Sequence, residues 1–174
     1  MVISPDENFL FLSNNGSNIF KEYSLNLDMK EITLVYKGQY EEEVIFTCFN
    51  YTGYYYAKIE DDRRILNIRR RERYVKTQNN NISSFSNYLT LVANDDKNWY
   101  CCACFSSNDF YIAVGTQNGS IIVYCINEDI KKDFGNIVAV MKNYHTYRIL
   151  SIGYSECSNY LLSSSSSIKA LLCY

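Results

Sequence analysis

The chain has 174 residues, of which 47% are hydrophobic and 21% are charged, and this composition is typical of one soluble globular domain. The 17 Lys and Arg residues nearly balance the 19 Asp and Glu residues, so the net charge of −2 excludes a global electrostatic attraction to nucleic acid or anionic membranes. The first residues do not form a basic segment followed by an apolar one, and no apolar run reaches the roughly 18 residues of a membrane span. We therefore expect a soluble, intracellular protein that makes no membrane contact.

Four segments of the chain share one pattern. Each begins with an apolar or aromatic residue followed by Ser or Asn and a polar turn, and continues with an apolar strand, a second polar turn and another apolar strand. The segments start at Ile3, Phe49, Phe105 and Tyr154, at intervals of roughly 45 to 55 residues. Repeats of this length and strand content predict a β-propeller, in which each repeat forms one blade of four strands.

A further apolar strand precedes each of the three later repeats: Val44–Cys48, Tyr100–Cys104 and Ile149–Ile152. The innermost strand of a blade packs around the central channel and is covered on both faces, so it can be apolar throughout. We expect these three segments to be innermost strands. Because no such strand precedes Ser4-Pro5-Asp6, the chain is expected to begin within a blade.

Segments of mixed polarity follow the third strand of the first three repeats, and they suit an outer edge that faces solvent. The polar stretch Thr77–Asp96, which contains Asn79-Asn80-Asn81, is predicted to be a surface loop inserted in the second blade. The expected outermost strands are Ile32–Tyr36, Tyr74–Lys76 and Ile137–Met141.

The segments Ser4-Pro5-Asp6 and Gly115–Tyr124 resemble the blades of WD-repeat proteins. The Gly-His pair that precedes an innermost strand in that family is absent, although Tyr144-His145-Thr146 stands at its place. The buried Asp-His-Ser-Trp hydrogen-bond network of the family is therefore expected to be incomplete, with aromatic packing in its place. The Trp-Asp pair is absent too: Tyr23, Ile68 and Tyr124 occupy the place of the Trp in three blades, and Tyr174 is the candidate in the fourth.

The resemblance implies an all-β chain of about four divergent WD-repeat blades, each with four antiparallel strands. The blades are expected at residues 1–38, 43–95, 98–143 and 147–174 of one domain that spans 1–174. Because WD-repeat propellers usually close with seven blades, four blades indicate an incomplete part of a propeller, or a chain completed by partner blades. Apolar blade faces and strand edges are then expected to be uncovered at both ends of the array.

Three features carry a narrower resemblance. They are Phe49–Gly53 followed by Asp62-Arg63-Arg64-Ile65, an insertion ending in Asn98-Trp99, and Cys102–Ser106 leading into Tyr111–Gly115. These segments are similar to the retinoblastoma-binding protein five subunit of COMPASS-type histone methyltransferase complexes. The resemblance implies a non-catalytic nuclear scaffold that binds other protein subunits in a complex that methylates histone H3 on lysine 4. The alternative is a generic WD-repeat scaffold of another assembly, ciliary, vesicle-coat or RNA-processing, with a cytoplasmic location.

Arginines are concentrated in one part of the chain. One interpretation is a solvated loop between outer strands. The other is a binding site for an anionic partner, because guanidinium groups form bidentate bonds with phosphate or carboxylate. If the histone methyltransferase interpretation holds, that partner is nucleosomal DNA. The residues concerned are Arg63, Arg64, Arg69, Arg70, Arg71 and Arg73.

Catalytic and metal-binding motifs are weak in this sequence. His145 is the only histidine, so Ser-His-Asp or Cys-His catalysis would depend on one residue in a predicted loop. The seven glycines form no phosphate-binding or dinucleotide-binding motif. Cys101 and Cys104 have the spacing of zinc ligands, but residues three apart on a strand point to opposite faces. We therefore expect no catalytic residues, no metal, no cofactor and no small-molecule substrate.

The seven cysteines are expected to be reduced, buried and structural, because they lie mostly inside apolar runs instead of punctuating loops. The serine run Ser163–Ser167 is predicted to be a flexible hairpin, and we assign it no function.

Overall fold

The computed structural model describes most of the chain, and the described part is built from β-strands and turns. Within the described ranges, no helical segment has the length and apolarity required to cross a bilayer. The strands form four consecutive antiparallel sheets, which are the blades, and one additional two-stranded hairpin. The described residues are 2–5, 7, 9–13, 19–26, 28–39, 44–60, 62–71, 75–77, 80–82, 85–93, 98–142, 144–166 and 170–173.

The first blade has four strands in the order in which they follow along the chain. Its innermost strand is short and pairs with the next strand through Val2 and Ile3, opposite Phe11 and Leu10. The prediction that the chain lacks this strand is therefore wrong. Two residues are too few to show a strand pattern, so they could not be separated from the turn that follows. The strands are β1 (Val2–Ile3), β2 (Phe9–Ser13), β3 (Ile19–Asn26) and β4 (Glu31–Gln39).

The second blade differs from the prediction at its outer edge. Its outermost strand is not Tyr74–Lys76 but Phe85–Val92, which lies inside the predicted loop Thr77–Asp96 and pairs with the third strand of the blade. Val75–Thr77 instead forms a separate hairpin with Asn80–Ile82. The strands are β5 (Val44–Phe49), β6 (Tyr55–Glu60), β7 (Ile65–Arg71), β8 (Val75–Thr77), β9 (Asn80–Ile82) and β10 (Phe85–Val92), and the sheet order is β10-β7-β6-β5.

The third blade has four strands and the fourth has three within the described residues. The predicted innermost strands of both are present. The serine run is not a hairpin throughout: Ser163, Ser164 and Ser165 belong to the second strand of the fourth blade, and Ser163 and Ser165 are buried. The strands are β11 (Tyr100–Phe105), β12 (Tyr111–Thr116), β13 (Ile121–Cys125), β14 (Ile137–Met141), β15 (Ile149–Tyr154), β16 (Leu161–Ser165) and β17 (Ala170–Cys173).

The turn after each innermost strand explains why Ser or Asn recurs in the repeats. In three blades the side-chain oxygen of this residue accepts a hydrogen bond from the backbone N–H five residues later: Asn50 from Tyr55 at 2.8 Å, and Ser106 and Ser155 from their partners at 3.0 Å. The fourth residue of the turn is left-handed, a conformation that Gly adopts without strain and that costs other residues free energy. The residues at this place are Glu7, Gly53, Asp109 and Ser158, with φ between 55° and 72°.

The main core lies between the second and third blades. The phenol groups of Tyr100 and Tyr124 meet inside it, with their oxygens 2.6 Å apart, so both buried hydroxyls are satisfied. Tyr124 is the residue predicted to take the place of the family's Trp. The buried members of this core are Ala57, Ile59, Leu66, Ile68, Leu91, Tyr100, Ala103, Phe105, Ile112, Val114, Ile122, Tyr124 and Ile126.

A second core joins the third and fourth blades around Ile149, which is fully buried. Gly115 permits this contact, because a Cβ atom at that position would lie 2.6 Å from Cγ2 of Ile149 and 2.8 Å from Sγ of Cys102. His145 lies in the connection before β15, as the sequence predicts, but it is buried, and its Nε2 is 2.8 Å from Oγ of Ser163. A buried hydrogen bond therefore joins the connection before β15 to the second strand of the fourth blade.

The cysteines follow the prediction in β5, β11 and β13, where all are free and buried or half-buried. Cys157 is an exception, because it is exposed in the turn before β16. A short residue in a polar turn has no neighbouring strand to cover it, so the expectation of burial is wrong there. The side chain of Cys173 lies outside the described residues.

Candidate interaction surface

One end of the propeller is formed by the turn between the second and third strands of each blade and by the connections between blades. In antiparallel blades these segments all lie at the same end of the sheets. We call this end the upper rim and define it as residues 62–64, 98–99, 117–119 and 144–148. The turns that follow the innermost strands lie at the opposite, lower end.

Two arginines from different parts of the chain lie near the Cys101 thiol at the upper rim. Burial raises the pKa of the Cys101 thiol, and the guanidinium groups of Arg148 and Arg63 oppose this shift, Arg63 also through a hydrogen bond. Arg63 comes from the turn before β7, and Arg148 from the connection before β15. The fold therefore brings two positive charges together around the start of β11.

Backbone hydrogen bonds hold the neighbouring parts of the rim in place. The backbone N–H of Gln117 donates to the carbonyl of Trp99 at 2.8 Å, and the N–H of Tyr100 donates to the carbonyl of Arg63 at 2.7 Å. Gly119, at φ +81°, packs against the backbone of the 144–148 segment, where a Cβ would be 2.2 Å from the carbonyl oxygen of His145. The side chains of Trp99 and Tyr147 are 43% and 59% exposed. The rim thus presents aromatic and cationic groups on a fixed backbone.

The predicted arginine cluster is divided between the two ends of the second blade. Arg63 and Arg64 lie in the turn that begins β7, and Asp62 fixes this turn because its Oδ1 accepts the N–H of Arg64 at 3.0 Å. The other described arginines lie at the far end of the same strand. Since a strand rises about 3.3 Å per residue, the two groups are roughly 20 Å apart. One ligand of phosphate size cannot contact both.

The arginines at the lower end are Arg69, Arg70 and Arg71 of β7, and all three are half-buried. Arg70 has two identified partners. Its Nη1 lies 3.7 Å from Oε1 of Glu128, and its Cζ lies over the ring of Tyr88 at 5.6 Å from the centroid. Arg73 lies outside the described residues. The role of the six arginines in partner binding stays a prediction.

Sequence reasoning missed Arg148 and Tyr147 as parts of the rim. Neither stands in a charge run or a motif, and only the packing of β15 against β11 and β12 brings them to the same end of the third blade as Trp99. One signal was available. Tyr144-His145-Thr146 stands at the place of the Gly-His pair, and the segment that follows such a pair leads into an innermost strand at this end of a blade.

The His145–Ser163 pair resembles two members of a hydrolase triad, but its surroundings differ from an active site. His145 is 4% exposed and Ser163 is 1% exposed, so a substrate cannot reach the hydroxyl. The second ring nitrogen, Nδ1, has no hydrogen-bond partner among the described residues, whereas a triad histidine is oriented there by a carboxylate. In the part of the chain that the structure describes, no three His, Cys, Asp or Glu side chains converge as metal ligands.

Four successive antiparallel sheets that pack face to face make this chain a stretch of β-propeller, and solved structures match it over nearly its whole length. The β-propeller domain of Cps50 (Swd1) from Myceliophteria thermophila is 12% identical, with a TM-score of 0.72 over 95% of this chain and 49% of that chain. A candidate 6-phosphogluconolactonase from Bacteroides uniformis ATCC 8492 is also 12% identical, with a TM-score of 0.69 over 94% and 46%. The chain therefore spans about half the length of these structures.

The other comparisons do not assign the chain to a family within the β-propellers. No protein-family model matches the chain, and no curated protein matches its sequence. In contrast, 899 chains of solved structures match its fold. Because propellers carry many unrelated functions, a match of this kind shows the architecture and does not select a function.

Proposed function

We propose that the chain is a non-catalytic WD-repeat scaffold that binds other protein subunits through its upper rim. The observation that carries the proposal is the grouping of Arg63, Trp99, Tyr147 and Arg148 on that rim. Trp, Tyr and Arg are the residue types that contribute most of the binding energy in protein interfaces. A rigid rim also lowers the entropy that is lost on binding.

The particular assembly in the proposal is a nuclear complex that methylates histone H3 on lysine 4. The sequence resemblance to the retinoblastoma-binding protein five subunit is its basis. Two of the segments that carry this resemblance, Asp62-Arg63-Arg64-Ile65 and Asn98-Trp99, are neighbours in space, because the N–H of Tyr100 bonds the carbonyl of Arg63. That adjacency supports a shared role at one surface. At 12% identity, the fold comparisons neither support nor contradict the assignment to this complex.

Affinity capture with matched variants tests the proposal. The tagged chain is incubated with nuclear extract of the source organism, and bound proteins are identified by mass spectrometry. The rim variant carries Arg63→Ala, Trp99→Ala and Arg148→Ala. The control carries Tyr51→Ala, Lys131→Ala and Lys132→Ala, which removes the same charge and one exposed aromatic ring outside the rim.

We expect the wild-type chain and the control to retain histone methyltransferase subunits, and the rim variant to retain roughly tenfold less. If no methyltransferase subunit is captured by any form, the assignment to this complex is wrong, and the generic scaffold of another assembly takes its place. If the rim variant captures the same subunits as the wild type, the rim is not the binding surface. Imaging of the tagged chain in cells checks the proposed nuclear location.

A nucleosomal DNA contact is a separate part of the proposal. Arg63, Arg64 and Arg148 supply the positive charge on the rim, since Arg69, Arg70 and Arg71 lie at the other end of the blade. Titration with a nucleosomal DNA fragment should show weaker binding by the rim variant and a smaller dependence of affinity on salt. Equal affinity and equal salt dependence would remove DNA from the proposal.

The enzyme alternative comes from the fold likeness to the candidate 6-phosphogluconolactonase. It is tested by incubating the chain with 6-phosphogluconolactone and following hydrolysis. We expect the rate to equal that of buffer. Turnover that is abolished by His145→Gln in a folded variant would overturn the non-catalytic assignment.

A further inference from the structure

A pocket opens at the lower end, between the second and third blades, on the side away from the upper rim. We call it the lower pocket. Its volume is about 190 Å³, and its walls include Tyr55, Tyr88, Phe110, Asp109, Glu128 and Asp129. Sites for whole small molecules usually measure about 300–1,000 Å³. The lower pocket therefore has the size for one side chain of a partner.

The aromatic walls of the pocket are held by contacts on both sides. The ring of Tyr55 lies 4.9 Å from the ring of Tyr88, centroid to centroid, at an interplanar angle of 47°. The hydroxyl of Tyr88 donates to the carbonyl of Ile126 at 2.9 Å, and its ring packs edge-on against Phe134. The ring of Phe110 is 41% exposed. Faces of such rings attract cations, because the π-electrons place negative charge there.

The pocket carries more negative than positive charge. Three carboxylates, Asp109, Glu128 and Asp129, line it, and Arg70 stands beside Glu128. Asp109 is fixed by the left-handed turn and by Asn50, whose Nδ2 donates to Oδ2 at 2.9 Å. Burial raises the pKa of Asp109, and the hydrogen bonds from Asn50 and Thr52 oppose this shift.

Arg70 is an example, within the chain itself, of a cation that is bound beside the lower pocket. Its guanidinium lies over the ring of Tyr88 at 5.6 Å and 3.7 Å from the carboxylate of Glu128. A cation from outside would find the same two kinds of partner, ring faces and carboxylates, among the wall residues. A metal ion fits less well, because among the described residues no three carboxylate, His or Cys side chains converge on one point.

We propose that the lower pocket binds a lysine or arginine side chain of a protein partner. The aliphatic stem lies between the rings of Tyr55 and Phe110, and the cationic end faces Glu128 and Asp129. This inference rests on the proposed scaffold function, to which it adds a second contact at the opposite end of the propeller. Its test uses small probes, so its failure is distinguishable from a failure of the affinity capture.

Saturation-transfer NMR with four probes tests the inference on the full 174-residue chain. The probes are the N-acetyl amides of lysine and arginine and, as neutral analogues, those of Nε-acetyl-lysine and citrulline. We expect the cationic probes to bind with dissociation constants in the millimolar range, and the neutral probes to bind at least about fivefold more weakly. The methylene groups of the bound cation should receive the strongest saturation. Comparison of lysine with arginine identifies the preferred residue.

Variants locate the binding. The double variant Glu128→Gln, Asp129→Asn should lower the affinity for the cationic probes about fivefold, and Phe110→Leu should lower it about two- to fivefold. Both variants should keep the circular dichroism spectrum of the wild type. The control is Glu156→Gln, which removes one exposed carboxylate from the corresponding end of the fourth blade. Equal binding of cationic and neutral probes, no binding of any probe, or equal effects of the pocket variant and the control would each overturn the inference.

Discussion

The first three strands of the third and fourth blades are arranged in the same way, but the two blades differ in how they are covered. Five of the six residues of β12 are buried, whereas the burial of β16, the equivalent second strand of the fourth blade, alternates. Leu161 and Leu162 show the difference within one dipeptide, because the first is 4% exposed and packs on the third blade, while the second is 52% exposed. Exposure here depends on whether a neighbouring blade covers a face, not on residue type. A blade covered on both faces can be apolar throughout, as parallel sheets in α/β proteins are.

The contrast also separates two kinds of stabilising contact. Between the second and third blades, packing is apolar and aromatic, and it is completed by the Tyr100–Tyr124 bond. Between the third and fourth blades, a smaller apolar cluster is supplemented by the buried His145–Ser163 bond. A face that is covered by packing and a face that is open should respond differently to the same mutation.

The largest difference is expected for one pair of leucines. Leu66, on β7, is fully buried between the second and third blades, and Leu162, on β16, is half exposed. Leu66→Ala should lower the free energy of unfolding by about 2–5 kcal/mol, because it removes buried methyl groups and leaves a cavity. Leu162→Ala should lower it by less than about 1 kcal/mol. Urea unfolding measures both, and equal losses would show that the open face is covered in solution.

A pair of glycines tests the packing between the third and fourth blades. Gly115→Ala would place a Cβ 2.6 Å from Ile149 and 2.8 Å from Cys102, both of which are buried. We expect a loss of about 1–3 kcal/mol in the free energy of unfolding. Gly153→Ala meets no atom within 4 Å, so it should be neutral or slightly stabilising. Thermal unfolding of the two variants distinguishes them. If Gly115→Ala is neutral, the third and fourth blades pack less tightly than these distances imply.

The buried polar contact should be weaker than the apolar packing but still measurable. Ser163→Ala leaves Nε2 of His145 without its bond to the hydroxyl, and a buried group without its partner costs about 1–3 kcal/mol. The matched control is Ser164→Ala, one residue further along β16 on the opposite face. A loss for Ser164→Ala as large as that for Ser163→Ala would show that the hydrogen bond does not stabilise the fourth blade.

The same histidine predicts a pH dependence. Burial lowers the pKa of His145 from its ordinary value of 6.5, so the unfolded chain takes up a proton at a higher pH than the folded chain does. The free energy of unfolding should therefore be highest above pH 6.5 and should fall as the pH drops through 6.5 toward the lower, folded-state pKa. His145 is the only histidine. His145→Gln should remove most of this slope, and an unchanged slope would contradict the assignment.

The strands of the third blade could be predicted because each apolar segment is bounded by a turn with a physical signature. Ser106 caps its turn, and Gly119 takes the left-handed conformation in the next one. The outermost strand of the second blade could not be found in this way. Phe85–Val92 mixes polar and apolar residues and follows an asparagine-rich stretch, so only its pairing with β7 identifies it.

Less of the candidate surfaces could be predicted than of the fold. Arg63 and Trp99 stood in recognisable segments, but Arg148 is isolated in the sequence and reaches the rim only through the packing of the fourth blade. The lower pocket combines Tyr55, Tyr88, Asp109 and Glu128 from four separate segments. No periodicity links residues at such spacings, because their proximity depends on how two blades pack.

Alkylation of the exposed cysteine is expected to have the smallest effect on stability. The cysteines should nevertheless differ strongly from one another in reactivity. Burial raises the pKa of Cys48 and Cys102 to about 12, so almost no thiolate is present there at neutral pH. Cys157 is exposed on the fourth blade, and the hydrogen bond with Ser155 lowers its pKa. Iodoacetamide should therefore modify Cys157 first, with the unfolding midpoint unchanged, and peptide mass spectrometry should find Cys48 and Cys102 unmodified. Cys157→Ser is the control that should leave these two thiols unreactive, and rapid modification of either would show that the covered blades open in solution.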